Sequence, residues 1–376
     1  MASISQVSNV RDLRLDFFRA LALLIIFVAH VPNNWLAPYR PGCFGFSDSA
    51  DIFVFVSGWA AAYAYGRAFA KAGFIPGCAR VARRCAQLYA GHLGLFFSVA
   101  ALCVAGNRLL ETGVDYINLL NLNYFFEHPQ DALLGLFTLT YVPNYFDILP
   151  MYLVCLALLA PFILFSRLHP MLAAAVSIAL YLSVPLFGLN LPAEIAFDRP
   201  WFFNPFAWQF LFYTGFFIGA GWLKTSASRA SLAILSGVFV VLSIPFSHYP
   251  TYSRIPWMRD FVVRLEPFIS KTDLGVFRWL HFLCLAYLAG VLLRGRERIL
   301  ESAFAAPLIK TGQQPLPVFL TGMFLSYLAG MVLDVSGRDW VSTILTNVCG
   351  ICALVAVGYL SAWFKSQPWR VTIGVT

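Results

Sequence analysis

An arginine and a histidine lie within one apolar stretch near the start of the chain. Arg19 and His30 are 11 residues apart in LDFFRALALLIIFVAHV. In a helix, two residues at this separation point in directions about 20° apart around the axis, so they share one face. They lie about 16 Å apart along the axis. A histidine near its ordinary pKa can act as a general base. We therefore expect both residues to be catalytic, although His30 could be a satisfied core histidine and Arg19 a structural partner of Asp16.

Two carboxylates open the next apolar stretch. Asp48 and Asp51 are one helical turn apart in SDSADIFVFVSGWAAAYAYG, and we expect them at about the depth of His30. A carboxylate beside an imidazole fixes its tautomer and stabilises its protonated form, as a general base requires. We predict that one of them orients His30. Capping of the helix N-terminus explains two acids in a first turn equally well.

Further polar residues lie at the ends of later apolar stretches. We expect these ends on the same side of the membrane as His30. Several polar side chains at one depth in a membrane indicate a shared pocket. Each of them alone could instead cap a helix or extend its polar end to the membrane surface. The catalytic candidates are Arg278 and His281, which with Gln209 could stabilise an oxyanion. The candidates for substrate binding are Asp147, Asn204, Trp208, Gln209 and Asp273.

A basic cluster precedes the third apolar stretch. Arg80, Arg83 and Arg84 lie in RVARRCAQLY, and arginine forks suit phosphate groups. Positive charge that orients the chain in the membrane is the simpler interpretation. The basic cluster on one side, with histidine and carboxylates towards the other, fits a polyanionic donor that enters from the cytoplasm.

Composition determines the environment that must position these residues. Of 376 residues, 60% are hydrophobic and only 12% are charged, too little polar surface for a water-soluble domain. Lipid is therefore expected to be the main solvent, and residues 1–376 a single membrane domain. The net charge of +8 is typical of basic cytoplasmic loops, so we expect no nucleic-acid partner. The sequence offers no convincing metal-ligand set, and we expect no metal.

The predicted fold is all-α and polytopic, with about ten transmembrane helices. The predicted spans are 13–36, 46–70, 84–106, 145–166, 169–189, 204–223, 231–247, 276–293, 314–335 and 340–363. Residues 131–142 are too short to cross and are predicted to form a re-entrant or interfacial helix. If both termini are cytoplasmic, these spans place most Lys and Arg residues of the loops on the cytoplasmic side of the membrane. Exceptions are Arg254, Arg259, Arg264 and Lys271, in the long outer loop 248–275.

Several short motifs in fixed order resemble a known family. They are LDFFRALA followed by His30, FVFVSG after an acidic turn, RVARR-x-x-x-LY, DILPMYL, NPFAWQ, TDLG-x-x-R-x-x-HFL and GQQPLPVF. Together they resemble the OpgC branch of the membrane acyltransferase-3 superfamily, over roughly residues 11–365. Arg19 and His30 match that superfamily's Arg-x10-His motif. Ala20 departs from a glycine that many relatives carry, which affects packing more than chemistry.

The resemblance implies an O-acyltransferase of the bacterial inner membrane. Succinyl-CoA would be the cytoplasmic donor co-substrate and an osmoregulated periplasmic glucan the acceptor. Arg80, Arg83, Arg84 and Arg19 would then bind the donor, and His30 would be the general base. Transfer through a covalent acyl-enzyme at His30 or Ser57 is an alternative route. The chain could also form a homodimer. The rival class is a proton-coupled transporter or flippase of a sugar or acyl substrate, with the same histidines and acids as a proton relay.

Overall fold

The apolar stretches fold as helices in the computed structural model, which describes residues 11–194, 197–223 and 229–370. The ends of the predicted domain, 1–10 and 371–376, lie outside this range. In chain order the α-helices are α1 (Leu13–His30), α2 (Ser49–Ala61), α3 (Arg67–Ala72), α4 (Phe74–Leu109), α5 (Tyr116–Leu119), α6 (Asn123–Glu127), α7 (Pro129–Thr138), α8 (Ile148–Ala157), α9 (Leu159–Leu168), α10 (Pro170–Phe187), α11 (Pro205–Gly219), α12 (Ala230–Ser247), α13 (Tyr249–Tyr252), α14 (Pro256–Ile269), α15 (Val276–Leu293), α16 (Ala306–Gly312), α17 (Pro315–Ser336) and α18 (Trp340–Ser366). One antiparallel hairpin, β1 (Pro192–Glu194) with β2 (Arg199–Pro200), precedes α11.

These elements form two compact units. The terminal unit comprises the described residues of Arg11–Pro38 and Gly295–Thr376, and so contains α1 and α16 to α18. The central unit comprises the described residues of Tyr39–Arg294, with α2 to α15 and the hairpin. The prediction of one domain over residues 1–376 stays a prediction.

Seven helical segments of the described chain are long and apolar enough to cross a membrane. They are α4, α8 with α9, α10, α12, α15, α17 and α18. This confirms a helical membrane protein, while the count of ten spans stays a prediction. The other three predicted spans are helical but atypical. Helix α1 carries Arg14, Asp16 and Arg19, α2 has 13 residues before a π-helical turn at Ala62–Gly66, and α11 has 15 residues.

Some helix ends differ from the bounds of the predicted spans. Residues 71–83, which connect the second and third predicted spans, are helical in the end of α3 and in the first part of α4, with Gly73 between the two helices at φ +90°. The first span ends at His30 rather than at residue 36, since Pro32 follows and cannot donate a helical hydrogen bond. The long loop 248–275 contains α14. The short helix predicted at 131–142 is present as α7.

In the central unit, α2 packs directly against the backbone of α11. A Cβ atom on Gly58 would overlap the Phe212 carbonyl, and one on Gly215 would overlap the Phe55 carbonyl. Small residues allow such close approach, which is how membrane helices gain packing energy without a hydrophobic driving force. This contact fixes the position of α2, at whose N-terminal end Asp48 and Asp51 lie.

In the terminal unit, α1 packs against α16, α17 and α18. A Cβ atom on Gly312 would overlap the Asp16 carbonyl, so α1 and α16 also touch through their backbones. Ser326 of α17 donates a 3.0 Å hydrogen bond to the Phe27 carbonyl. These contacts hold the helix that carries Arg19 and His30.

Candidate functional site

The two carboxylates at the start of α2 form a capping box. The Asp48 carboxylate accepts a 2.8 Å hydrogen bond from the Ala50 N–H, and the Asp51 carboxylate accepts one of 2.8 Å from the Asp48 N–H. A helix that begins in an apolar surrounding needs such acceptors for its first N–H groups. The capping interpretation of both acids is thus confirmed, while a catalytic role for either stays a prediction.

Arg278 of α15 neutralises the same carboxylates. Its Nε and Nη2 atoms donate to the two Asp51 oxygens at 3.1 and 2.5 Å, and its Nη1 donates to the Phe46 carbonyl at 2.9 Å. Nη2 also lies 3.2 Å from Asp48 Oδ2. The side chains of Arg278 and Asp51 are only 6% and 0% exposed. Arg278 therefore positions the start of α2, and its predicted role at an oxyanion is not tested by these contacts.

Lys271 completes this cluster of two acids and two cations. Its Nζ atom donates a 2.7 Å hydrogen bond to Asp48 Oδ2. No local sequence pattern specifies a partner for Lys271, although its predicted place on the outer side, against the positive-inside rule, singles it out. We define the ion cluster as Asp48, Asp51, Lys271 and Arg278.

The loop that carries Lys271 is held by α11. Trp208 Nε1 donates to the Lys271 carbonyl at 2.9 Å, and Asn204 Nδ2 donates to Asp273 Oδ1 at 2.9 Å. The Asn204 N–H also donates to the Thr272 carbonyl at 3.1 Å. Three predicted substrate-binding residues, Asn204, Trp208 and Asp273, are therefore brought together here, where they fix the backbone beside the ion cluster.

His281 lies one turn after Arg278 on α15. Its Nδ1 atom is 2.8 Å from Ser47 Oγ, and its ring lies against Gly45, where a Cβ atom would overlap it. Nε2 is buried and has no hydrogen-bond partner within the described residues. The ring thus positions the turn that leads into α2. Sequence reasoning missed Gly45 and Ser47, which carry no pattern of their own.

Two other predicted residues have distinct surroundings. Gln209 is fully buried and is bonded to Ser177 of α10, accepting from its hydroxyl at 2.7 Å and donating to its carbonyl at 2.9 Å. It therefore joins α10 to α11. Asp147, just before α8, is buried, and its Oδ1 atom has no hydrogen-bond partner among residues that the structure describes.

In the terminal unit, the geometry of His30 defines its tautomer. His30 is half-buried, and its Nδ1 lies 2.7 Å from the Ile26 carbonyl one turn earlier on α1. A carbonyl oxygen only accepts, so in the neutral ring Nδ1 carries the proton and Nε2 does not. The predicted orientation of His30 by Asp48 or Asp51 stays a prediction, because those acids belong to the central unit.

Arg19 is buried on α1 and joins it to α16. Its Nη1 lies 3.3 Å from Asp16 Oδ1 and donates to the Gly312 carbonyl at 3.2 Å. Arg11 donates to both Asp16 oxygens, at 2.5 and 3.0 Å. The structural ion pair expected between Asp16 and Arg19 is therefore present.

The basic cluster lies on the first half of α4. Arg80 and Arg83 are exposed, and Arg84 is half-buried with its Nη1 3.2 Å from Gln87 Oε1. Arg80 and Arg84 are four residues apart and so share one helix face. This arrangement is compatible with a bound polyanion. No group of three or more metal-ligating side chains is found within the described ranges.

Comparison with known proteins gives one family. The family model described as OpgC protein matches residues 11–366. No curated protein matches the chain, and no solved structure does.

Proposed function

The chain belongs to the OpgC protein family, and from that premise we propose that it transfers a succinyl group from succinyl-CoA to hydroxyls of osmoregulated periplasmic glucans. Membership gives it a role in modifying these glucans and indicates a transferase. The resemblance to OpgC proteins is thereby confirmed, and the acyltransferase-3 superfamily stays a prediction. The donor, the acceptor hydroxyl and the direction of transfer are part of the proposal.

The membrane arrangement supports a reaction between two compartments. In this proposal succinyl-CoA is cytoplasmic and the glucan is periplasmic, and the protein lies in the bacterial inner membrane with both termini inside, the orientation that puts most of its basic loops in the cytoplasm. The exposed guanidinium groups of Arg80 and Arg83, with Arg84, bind the coenzyme A phosphates. Asp147, with one buried oxygen unsatisfied in the described structure, accepts a hydrogen bond from a sugar hydroxyl.

The contact between His30 Nδ1 and the Ile26 carbonyl is the observation that carries the mechanism. With Nδ1–H held by the Ile26 carbonyl, Nε2 accepts the hydroxyl proton as the sugar oxygen attacks the thioester carbonyl. The tetrahedral intermediate then collapses, the carbon–sulfur bond breaks, and His30 returns the proton to the coenzyme A thiolate. One thioester and one hydroxyl become one ester and one thiol.

The test is transfer of labelled succinyl from succinyl-CoA to glucan by the purified protein in detergent. We expect label in the glucan and one equivalent of thiol released for each ester formed. Failure to transfer any short acyl group, together with no binding of coenzyme A, contradicts the proposal. Proton uptake coupled to sugar movement in proteoliposomes then identifies a transporter instead.

A further inference from the structure

Lys271 differs from the other cation of the ion cluster in its accessibility. Its side chain is 38% exposed, whereas that of Arg278 is 6% exposed. An ammonium group has three donors, and one of them is directed at Asp48 Oδ2. Lys271 thus presents charge and hydrogen-bonding capacity at the rim of an otherwise buried cluster.

Arg278 cannot take this role without breaking the cluster. Its Nε and both Nη atoms donate to Asp51 and to the Phe46 carbonyl. Removing one partner from such a buried pair leaves an uncompensated charge, which is strongly unfavourable. A ligand carboxylate that approaches the cluster therefore meets Lys271.

The position of Lys271 is fixed before any ligand arrives. The Trp208 indole N–H holds its carbonyl, and its Nζ lies 5.9 Å from the centre of the Phe202 ring and 5.6 Å from that of Phe203. Ring faces attract an ammonium group and restrict where it points. A preorganised cation loses less entropy on binding than a mobile one.

Asp48 does not depend on Lys271 alone. Its Oδ1 accepts from the Ala50 N–H at 2.8 Å, and its Oδ2 lies 3.2 Å from Arg278 Nη2. Lys271 can therefore share its ammonium group between Asp48 and a second carboxylate without leaving Asp48 uncompensated.

We propose that Lys271 binds the terminal carboxylate of a dicarboxylic acyl group, and so selects succinyl over uncharged acyl donors of the same length. This inference rests on the proposed function, and it adds the residue that reads the acyl group. The supporting geometry is an accessible, prepositioned ammonium group beside a saturated ion cluster.

The experiment compares succinyl-CoA with butyryl-CoA, whose acyl groups have equal carbon counts and differ in the terminal carboxylate. For Lys271→Met we expect kcat/KM with succinyl-CoA to fall about 10- to 100-fold, the size of a hydrogen bond to a charged group, while butyryl transfer stays within about twofold. Lys271→Arg keeps the preference for succinyl. The matched control Arg264→Met, at an exposed cation of α14, leaves it unchanged.

The inference is overturned by a wild-type enzyme with no preference for succinyl, by an unchanged preference in Lys271→Met, or by an equal loss with both donors. A raised KM for glucan with unchanged donor preference does so too, and assigns Lys271 to the acceptor. If Lys271→Met does not fold, Lys271→Gln repeats the comparison, since it keeps a donor towards Asp48 without the charge. A wild-type enzyme that transfers neither acyl group contradicts the proposed function rather than the role of Lys271.

Discussion

The central and terminal units both place charged side chains among apolar helices, but they satisfy them differently. In the central unit, Arg278 reaches Asp51 from 227 positions further along the chain. In the terminal unit, Asp16 and Arg19 are one turn apart on α1, and His30 bonds to a carbonyl of the same helix. The central cluster therefore exists only in the folded unit, whereas on α1 the Asp16–Arg19 and His30–Ile26 contacts form within the helix, and folding adds the bond from Arg19 to the Gly312 carbonyl.

This contrast separates two kinds of mutational effect. Buried charges with long-range partners should govern stability, because loss of one partner leaves the other buried and uncompensated. A half-buried histidine oriented by its own helix should govern activity, because its hydrogen bond to the Ile26 carbonyl fixes the ring within one helical turn. The following variants test this difference, from the largest expected effect on stability to the smallest.

Asp51→Asn should have the largest effect on stability. It leaves Arg278 buried without its bidentate carboxylate, and we expect the free energy of unfolding to fall by about 3–5 kcal/mol. Chemical denaturation in mild detergent measures it. The control is Asp260→Asn, whose carboxylate is 64% exposed and 3.7 Å from Arg259. An equal, small effect of both substitutions would contradict the claim that the buried pair of Asp51 and Arg278 governs stability.

Gly215→Val tests the contact between the middle of α2 and α11. The added side chain overlaps the Phe55 carbonyl, and overpacking costs about 1–3 kcal/mol or more. The matched control is Gly237→Val on α12, where a Cβ atom meets nothing within 4 Å. The melting temperature in detergent should fall for the first variant and stay near wild type for the second. Equal melting temperatures contradict the close approach of α2 and α11.

Arg19→Gln tests the local arrangement of the terminal unit. It removes a charged partner of Asp16 and the bond to the Gly312 carbonyl. We expect a loss of about 1–3 kcal/mol, typical of hydrogen bonds to charged groups, which is less than for Asp51→Asn because Arg11 still pairs with Asp16. Unfolding curves recorded beside those of Asp51→Asn decide the order. A larger loss for Arg19→Gln reverses our comparison.

Asp12→Ala should have the smallest effect of the four. Asp12 caps α1 by accepting from the Arg14 N–H at 3.0 Å, and removing such a cap costs about 0.5–2 kcal/mol. Asp12→Asn keeps an acceptor and should lose less. Helicity and melting of the two variants measure the difference, and identical behaviour shows that the cap contributes nothing measurable.

Helix class and most spans could be predicted from the sequence, because about 20 apolar residues are required to cross a bilayer. The predicted and observed bounds of the α15 segment coincide at residues 276 and 293. Boundaries failed where polar residues continue a helix, as in α4, which has 36 residues and begins at Phe74. Charged residues indicate where the chain faces water, but a helix can continue through such residues.

The candidate site was only partly predictable. Acids in a first turn and a shared helix face follow from spacing, so Asp48, Asp51 and the Asp16–Arg19 pair were found. The partners that saturate Asp51 and fix Lys271 come from distant segments, and no local pattern specifies them. The hydrogen bond from His30 to the Ile26 carbonyl is compatible with helix geometry, but the sequence alone does not specify that the ring adopts it.

The most direct test of the account compares His30→Ala with His128→Ala, an exposed histidine outside the candidate site, in transfer of succinyl from succinyl-CoA to glucan. We predict that His30→Ala folds and still binds succinyl-CoA but loses about 10²- to 10⁴-fold in rate, as for removal of a general base. His128→Ala should match wild type. Transfer at the wild-type rate by folded His30→Ala protein contradicts the account.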